Sequence, residues 1–196
     1  MKKNLLISVL MTIATTILLG IIYPLVITGL AQVFFKDKAN GQLMVQNGKI
    51  VGSRIIGQAF TSSAYFHSRP SMAGNGYDAL NSSPSNLGPT NQHLIDRVKS
   101  DVAGYQVDHP QQAVPVDLVT TSGSGLDPHI SPAAAEFQIE RVAKERGVKA
   151  DDLRQLVLKH TEGRQLGFLG EARVNVLELN LELDQRLPLM KQAKAE

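Results

Sequence analysis

The chain has 196 residues with 20 basic and 18 acidic side chains and no cysteine, which excludes a disulfide framework, a thiol nucleophile and any cysteine metal site. Setting aside Lys2 and Lys3 leaves 18 basic against 18 acidic residues. That balance argues against a nucleic-acid binder, which needs a concentrated positive patch, and leaves only Lys36 and Lys38 to face anionic lipid.

No charge occurs from Leu5 to Phe35. As a helix, Leu5–Leu30 alone spans roughly 39 Å at about 1.5 Å per residue, against about 30 Å of bilayer hydrocarbon. The expectation is a retained transmembrane anchor over 1–36. A cleaved signal peptide is the alternative, disfavoured because the apolar run is too long and Ala31–Phe35 is a poor cleavage site. Pro24 and Gly20 are tolerated in a membrane helix, and Pro24 is expected to kink it. The short basic start predicts a cytoplasmic N-terminus and an extracytoplasmic domain at 37–196.

Residues 36–50 read as a polar connection with turns at Asn40-Gly41 and Asn47-Gly48, and Ile50–Phe60 as a short strand or two. Thr61–Thr90 is rich in Ser, Asn, Gly and Pro and lacks periodicity, yet holds Tyr65, Phe66 and Tyr77. Because disordered linkers are poor in aromatics, an ordered loop packed on this domain or on a partner is expected. A helix is predicted from Pro89 to Gly104, with Leu94, Ile95, Val98 and Val102 on one face. Val114–Thr120 reads as an edge strand. Ser131-Pro132 starts a helix that Gly147 stops, with Glu140 and Lys144 as an ion pair. A second helix covers Asp151–His160, ending by Gly163. Over 174–183 both a strand and a helix fit; the Asn175/Glu178 capping pair and the Leu and Glu content lean to helix. The last dozen residues are expected to fray. The class is α+β.

Thr121–His129 is the most enzyme-like stretch. It is neither a P-loop nor a nucleophile elbow, and an ordered turn and cap is the main expectation, with a binding loop next. His160-Thr161-Glu162 resembles half a metal site, but a structural hydrogen bond near a helix end is favoured. Arg69, in Tyr65–Ser71, is placed either to meet a carboxylate or phosphate or in a surface loop whose aromatics cover the core.

Gly52–Gln58, Tyr65–Ser71, Ser85–Asn91, Val114–Pro132, His160–Arg164 and Gly170–Asp184, with the N-terminal span, resemble the C subunit of the Kdp-type potassium-transporting ATPase. Ala172 stands where that family usually has proline. The resemblance implies a non-catalytic accessory subunit in the cell membrane, partnered with a channel-like A subunit, a P-type ATP-hydrolysing B subunit and a small F peptide. It further implies a catalytic chaperone that raises ATP affinity, with no cofactor bound alone, in which Ser122, Gly123, Ser124, Gly125 and Gln138 resemble a nucleotide-binding signature. An outer-face domain, however, lies across the membrane from ATP. The preferred expectation is packing on the A subunit, through Tyr23 and Pro24 in the helix and Tyr65, Phe66, Arg69 and Tyr77 in the loop. The alternative is an anchored extracytoplasmic hydrolase using Ser124 and His129.

Overall fold

The computed structural model describes residues 1–189. It divides into two compact units, Met1–Ser53 and Arg54–Glu196.

The first unit begins with one continuous helical rod, Lys2–Phe34, long and apolar enough to cross a membrane and with none of its apolar window buried. It comprises α1 (Lys2–Thr15), a π-helical stretch (Thr16–Ile22) and α2 (Tyr23–Phe34). The π register has a local cause. Pro24 carries no amide hydrogen, and its ring crowds the carbonyl four residues back, at Gly20. The disturbance expected at Pro24 therefore takes the form of a widened turn, in which Tyr23 N donates to Leu18 O, five residues back. A short α3 (Lys36–Ala39) leads into an antiparallel hairpin of β1 (Leu43–Gln46) and β2 (Lys49–Ser53). Asn47 and Gly48 both have positive φ, 52° and 76°, the pairing that twists a two-residue hairpin turn correctly. Only the first part of the apolar stretch from Ile50 is strand, and β1 replaces what reads in the sequence as connection.

The second unit is α+β, as expected. Its elements are α4 (Gln92–Asp108), a 3₁₀ turn (Val116–Leu118), β3 (His129–Ile130), α5 (Pro132–Arg146), α6 (Ala150–Lys159), β4 (Thr161–Glu162), β5 (Arg173–Asn175) and α7 (Val176–Arg186). The three strands form an antiparallel sheet in the order β3-β5-β4, with Ile130 and Thr161 both opposite Val174. One core joins the sheet to α5, α6 and α7: Ile139, Val142, Leu153, Val174, Leu179 and Leu183 are all fully enclosed.

Local chemistry explains the boundaries. Ser131 Oγ accepts from Ala134 N at 3.1 Å to cap α5, and Gly147, at φ 67°, closes it while Val148 N donates to Ala143 O. Asn175 Oδ1 likewise caps α7 through Glu178 N. Both readings of 174–183 thus hold in part, with strand to Asn175 and helix beyond.

Three expectations fail. α4 starts at Gln92 because Asn91 Oδ1 takes His93 N, and it runs through Gly104, where a side chain would meet nothing within 4 Å. A lone exposed Gly costs about 1 kcal/mol without ending a helix. The stop comes instead at His109, whose successor Pro110 disfavours helical backbone. In place of the edge strand expected at 114–120 there is a 3₁₀ turn at Val116–Leu118, where the Asp117 carboxylate accepts from Ser131 N at 2.6 Å and Ser131 Oγ at 3.1 Å. Glu140, expected to pair with Lys144, is engaged by Arg154 of α6. α6 ends at Lys159 with His160 as its cap, before Gly163. Of the expected frayed end, residues 190–196 lie outside the described residues.

Candidate functional site

Residues 61–90 contain neither helix nor strand, so their backbone groups need other partners. Side chains from two helices supply them. Asn180 of α7 accepts from Phe66 N at 3.0 Å and donates to Phe66 O at 2.9 Å. Gln138 of α5 does the same for His67, at 2.7 and 3.1 Å. Each buried carboxamide thus mimics a strand neighbour for one loop residue. Gln138 also donates to Ala134 O and accepts from Arg141 Nη2, which uses its full hydrogen-bonding capacity. Arg146, 2% exposed, donates to Ala64 O, Leu187 O and Asp184 Oδ1, and its guanidinium lies 4.7 Å from the centre of the Tyr65 ring.

The loop's second part is tied to residues 120–129. The Arg69 guanidinium donates to Thr120 O, Thr120 Oγ1 and Asp127 Oδ2, each at 3.3 Å. Tyr77 Oη donates to Arg69 O. Ser71 Oγ donates to Gly125 O at 2.6 Å and accepts from Tyr77 N at 2.8 Å. Two glycines permit this closeness. A Cβ at Gly57 would sit 2.7 Å from Asp127 O and 2.9 Å from the Tyr77 ring; one at Gly125, where φ is 69°, would sit 2.6 Å from Ser83 O.

Electrostatics follow the same wiring. Burial pulls the Asp127 carboxyl upward, but His129, through its ring and its backbone N–H, and the Arg69 charge together hold it below its ordinary range. Burial pushes the Tyr77 phenol up to about 12. Burial and the Arg141 charge lower His67. Arg69, Asp127 and His129, with Asp117, Ser131 and Arg173, line a cleft of about 410 Å³. A second cavity of about 360 Å³ is lined by His67, Tyr105, His109, Phe137, Gln138 and Arg141, among others.

The residues singled out in the sequence fall into distinct places. Ser124 O accepts from Ser83 N and Ser82 Oγ, Ser124 Oγ accepts from Leu126 N, and Ser122 and Ser124 hydroxyls are 3.3 Å apart. Ser122–Gly125 is thus a turn that anchors the long loop, and the cavity lined by Gln138 does not include it. Ser124 and His129 share no hydrogen bond among the described residues, since His129 faces Asp127; the hydrolase reading is not favoured. His160 Nε2 meets Glu182 Oε2 at 2.5 Å, the structural bond expected there. Phe66 is fully enclosed in this unit's own core. Tyr65, Arg69 and Tyr77 are half-buried, with Tyr65 Oη donating to Asp184 Oδ2 at 2.9 Å. Tyr23 and Pro24 lie in the apolar rod, where Tyr23 is exposed. Sequence reading missed Arg146, Asn180, Asp117 and Arg141. For Arg146 and Asn180 the available signal was a polar residue inside an apolar helical face; Asp117, in the 3₁₀ turn, and the half-buried Arg141 carried no such signal.

The sequence pattern of the family described as "K+-transporting ATPase, c chain" matches residues 5–185. A potassium-transporting ATPase KdpC subunit of Koribacter versatilis is 68% identical over 189 residues, covering 96% of this chain and 98% of that one. Those of Rhodospirillum rubrum and Mycobacterium bovis are 57% and 50% identical, over 90% and 94% of this chain and 92% and 100% of theirs. With a candidate membrane helix, an α+β unit and a match along nearly all of its length, the chain belongs to the KdpC family of potassium-transporting ATPase subunits.

Proposed function

We propose that the chain is a non-catalytic accessory subunit of an ATP-driven potassium-uptake complex, anchored by Lys2–Phe34 with its N-terminus in the cytoplasm and its soluble unit on the outer face. Its partners are the channel-like A subunit, the P-type ATP-hydrolysing B subunit and the small F peptide. The observation that carries this reading is the rod itself, a 33-residue apolar helix with none of its apolar window buried in the chain. Such a surface needs lipid and neighbouring helices. The polar side chains around the loop junction are instead spent on one another, which suits a shaped docking body. Tyr23 and Pro24 in the rod, and the open edges of Tyr65, Arg69 and Tyr77, are the proposed contacts with the A subunit; Phe66 serves by fixing the loop's shape.

Raised ATP affinity in the B subunit is proposed to follow from assembly. Direct nucleotide contact through Ser122–Gly125 and Gln138 has one supporting feature, a Gly/Ser turn ahead of a helix in which Gly123 and Ser124 are exposed. It is opposed by the saturated Gln138 amide. Affinity purification from detergent-solubilised membranes, with a tag after Glu196, is expected to recover the other ATPase subunits. Recovery of the intact chain alone, from the aqueous fraction without detergent, would end this reading.

A further inference from the structure

The connection between β4 and β5 folds into a tight tip that the contacts above leave unused. Gln165 and Leu169 exchange both backbone hydrogen bonds at 2.9 Å, and the amides of Gly167 and Phe168 donate to Arg164 O and Gln165 O. Below the tip, Arg173 pairs with Glu162 at 2.9 Å and Arg164 faces Glu171 at 3.8 Å. Leu166 and Gly167 both take left-handed backbone, at φ 53° and 82°. A bulky residue in that region is uncommon and persists where its surroundings enforce it. Nothing within 4 Å would meet a Cβ at Gly167 or Gly170, so the turn's own backbone sets its shape.

The tip presents apolar side chains to solvent: Leu166 is 83% exposed, Phe168 68% and Leu169 47%. Three exposed apolar side chains within four residues form a contiguous cluster, and such clusters on a monomer mark interaction sites. Three occupants compete. A second copy of the chain is disfavoured by area, because a stable stand-alone pair buries about 800 Å² per partner. An anionic membrane surface is disfavoured by charge, because interfacial anchors carry a basic excess. Here Arg164 and Arg173 face Glu171 and Glu162. What fits is an uncharged apolar pocket on a protein held nearby by other contacts.

We infer that the Gln165–Leu169 tip is a preformed plug whose Leu166 and Phe168 side chains insert into an apolar pocket on another integral subunit of the same ATPase. The inference rests on the accessory-subunit reading above. Its backbone is already hydrogen-bonded, so docking pays little ordering entropy, and a buried aromatic anchor is the kind of group that dominates interface energy.

The test uses the assembled complex in membranes. A benzophenone side chain introduced at position 168 is expected to cross-link to one other ATPase subunit on illumination. The double substitution Leu166→Ser/Phe168→Ser is expected to lower recovered complex tenfold or more while leaving thermal unfolding of the full chain unchanged, since these side chains are exposed. Cross-links only to lipid or only to a second copy of the chain would overturn the inference. So would wild-type recovery of complex with the double variant. If the unsubstituted chain recovers no other subunit, the accessory reading itself fails. If it recovers them and the double variant does so equally, only the plug fails.

Discussion

Arg146 and Asp184 form an ion pair at 2.8 Å in which none of the arginine side chain is exposed. Asp184 also accepts from Tyr65 Oη at 2.9 Å, and Arg146 also donates to Ala64 O and Leu187 O. One guanidinium therefore joins the end of α5, the end of α7 and the start of the long loop. Removing the arginine strands the Ala64 and Leu187 carbonyls, at about 1–3 kcal/mol, while Asp184, 31% exposed, keeps contact with solvent. Arg146→Ala is expected to show a loss in that range in denaturant unfolding of the detergent-solubilised chain. Arg146→Lys should recover only part of it, because an ammonium cannot reproduce the planar fork.

Gln138→Leu and Asn180→Leu should each destabilise by about 1–3 kcal/mol, the usual cost of stranding buried polar groups. The stranded groups are the N–H and C=O of His67 and Phe66. Limited proteolysis is expected to cut first within 61–90 in both variants, with little cleavage there in the parent. Equal resistance in parent and variants would show that the carboxamides do not hold the loop. Deleting 61–90 outright is the poorer test of partner docking, because it removes Phe66 from the core along with any docking surface.

Little of this junction was legible in the sequence. The bonds that pin the loop join residues 71, 82 and 114 positions apart, and no local pattern encodes such pairs. Where the controlling contact is local, reading succeeded. Ser131, Gly147 and Asn175 terminate their helices through groups within a few residues, and the aromatics of 61–90 did identify an ordered loop. Failures arose where a segment meets a distant partner, as Asp117 meets Ser131, or where Gly104 was read as a stop although open space surrounds it.

Gly125→Ala combines a left-handed backbone with a Cβ 2.6 Å from Ser83 O, so neither strain nor clash is avoidable. A loss of about 1–3 kcal/mol is expected from the overpacking alone. Gly123→Ala, two positions away with nothing within 4 Å, is the matched control and should be close to neutral. Differential scanning fluorimetry on the two variants separates these outcomes, and equal melting temperatures would contradict the geometry.

The pH dependence has two limbs of opposite sign. The folded Asp127 carboxyl lies below its ordinary 3.8, so its contribution is present above pH 3.8 and is lost as pH falls through the lower folded value. Tyr77 lies above its ordinary 10.0, at about 12; its contribution is present below pH 10 and is lost as pH rises toward about 12. Asp127→Asn should flatten the acid limb and Tyr77→Phe the alkaline one, read from thermal midpoints measured across pH. An unchanged alkaline limb in Tyr77→Phe would assign that transition to other groups.

Nucleotide titrated onto the isotope-labelled full chain in detergent is expected to leave the amide signals of residues 122–138 in place, because the Gln138 amide is saturated. Saturable shifts confined to that range would restore direct contact as the basis of any effect on ATP affinity.

The two carboxamides that grip Phe66 and His67 place an irregular stretch of chain in the same cooperative unit as its helices. Deuterium should enter those two backbone positions only when α5 and α7 themselves open, at rates typical of a helical interior instead of a surface loop. A segment without a ladder of its own thereby acquires the kinetic protection of one.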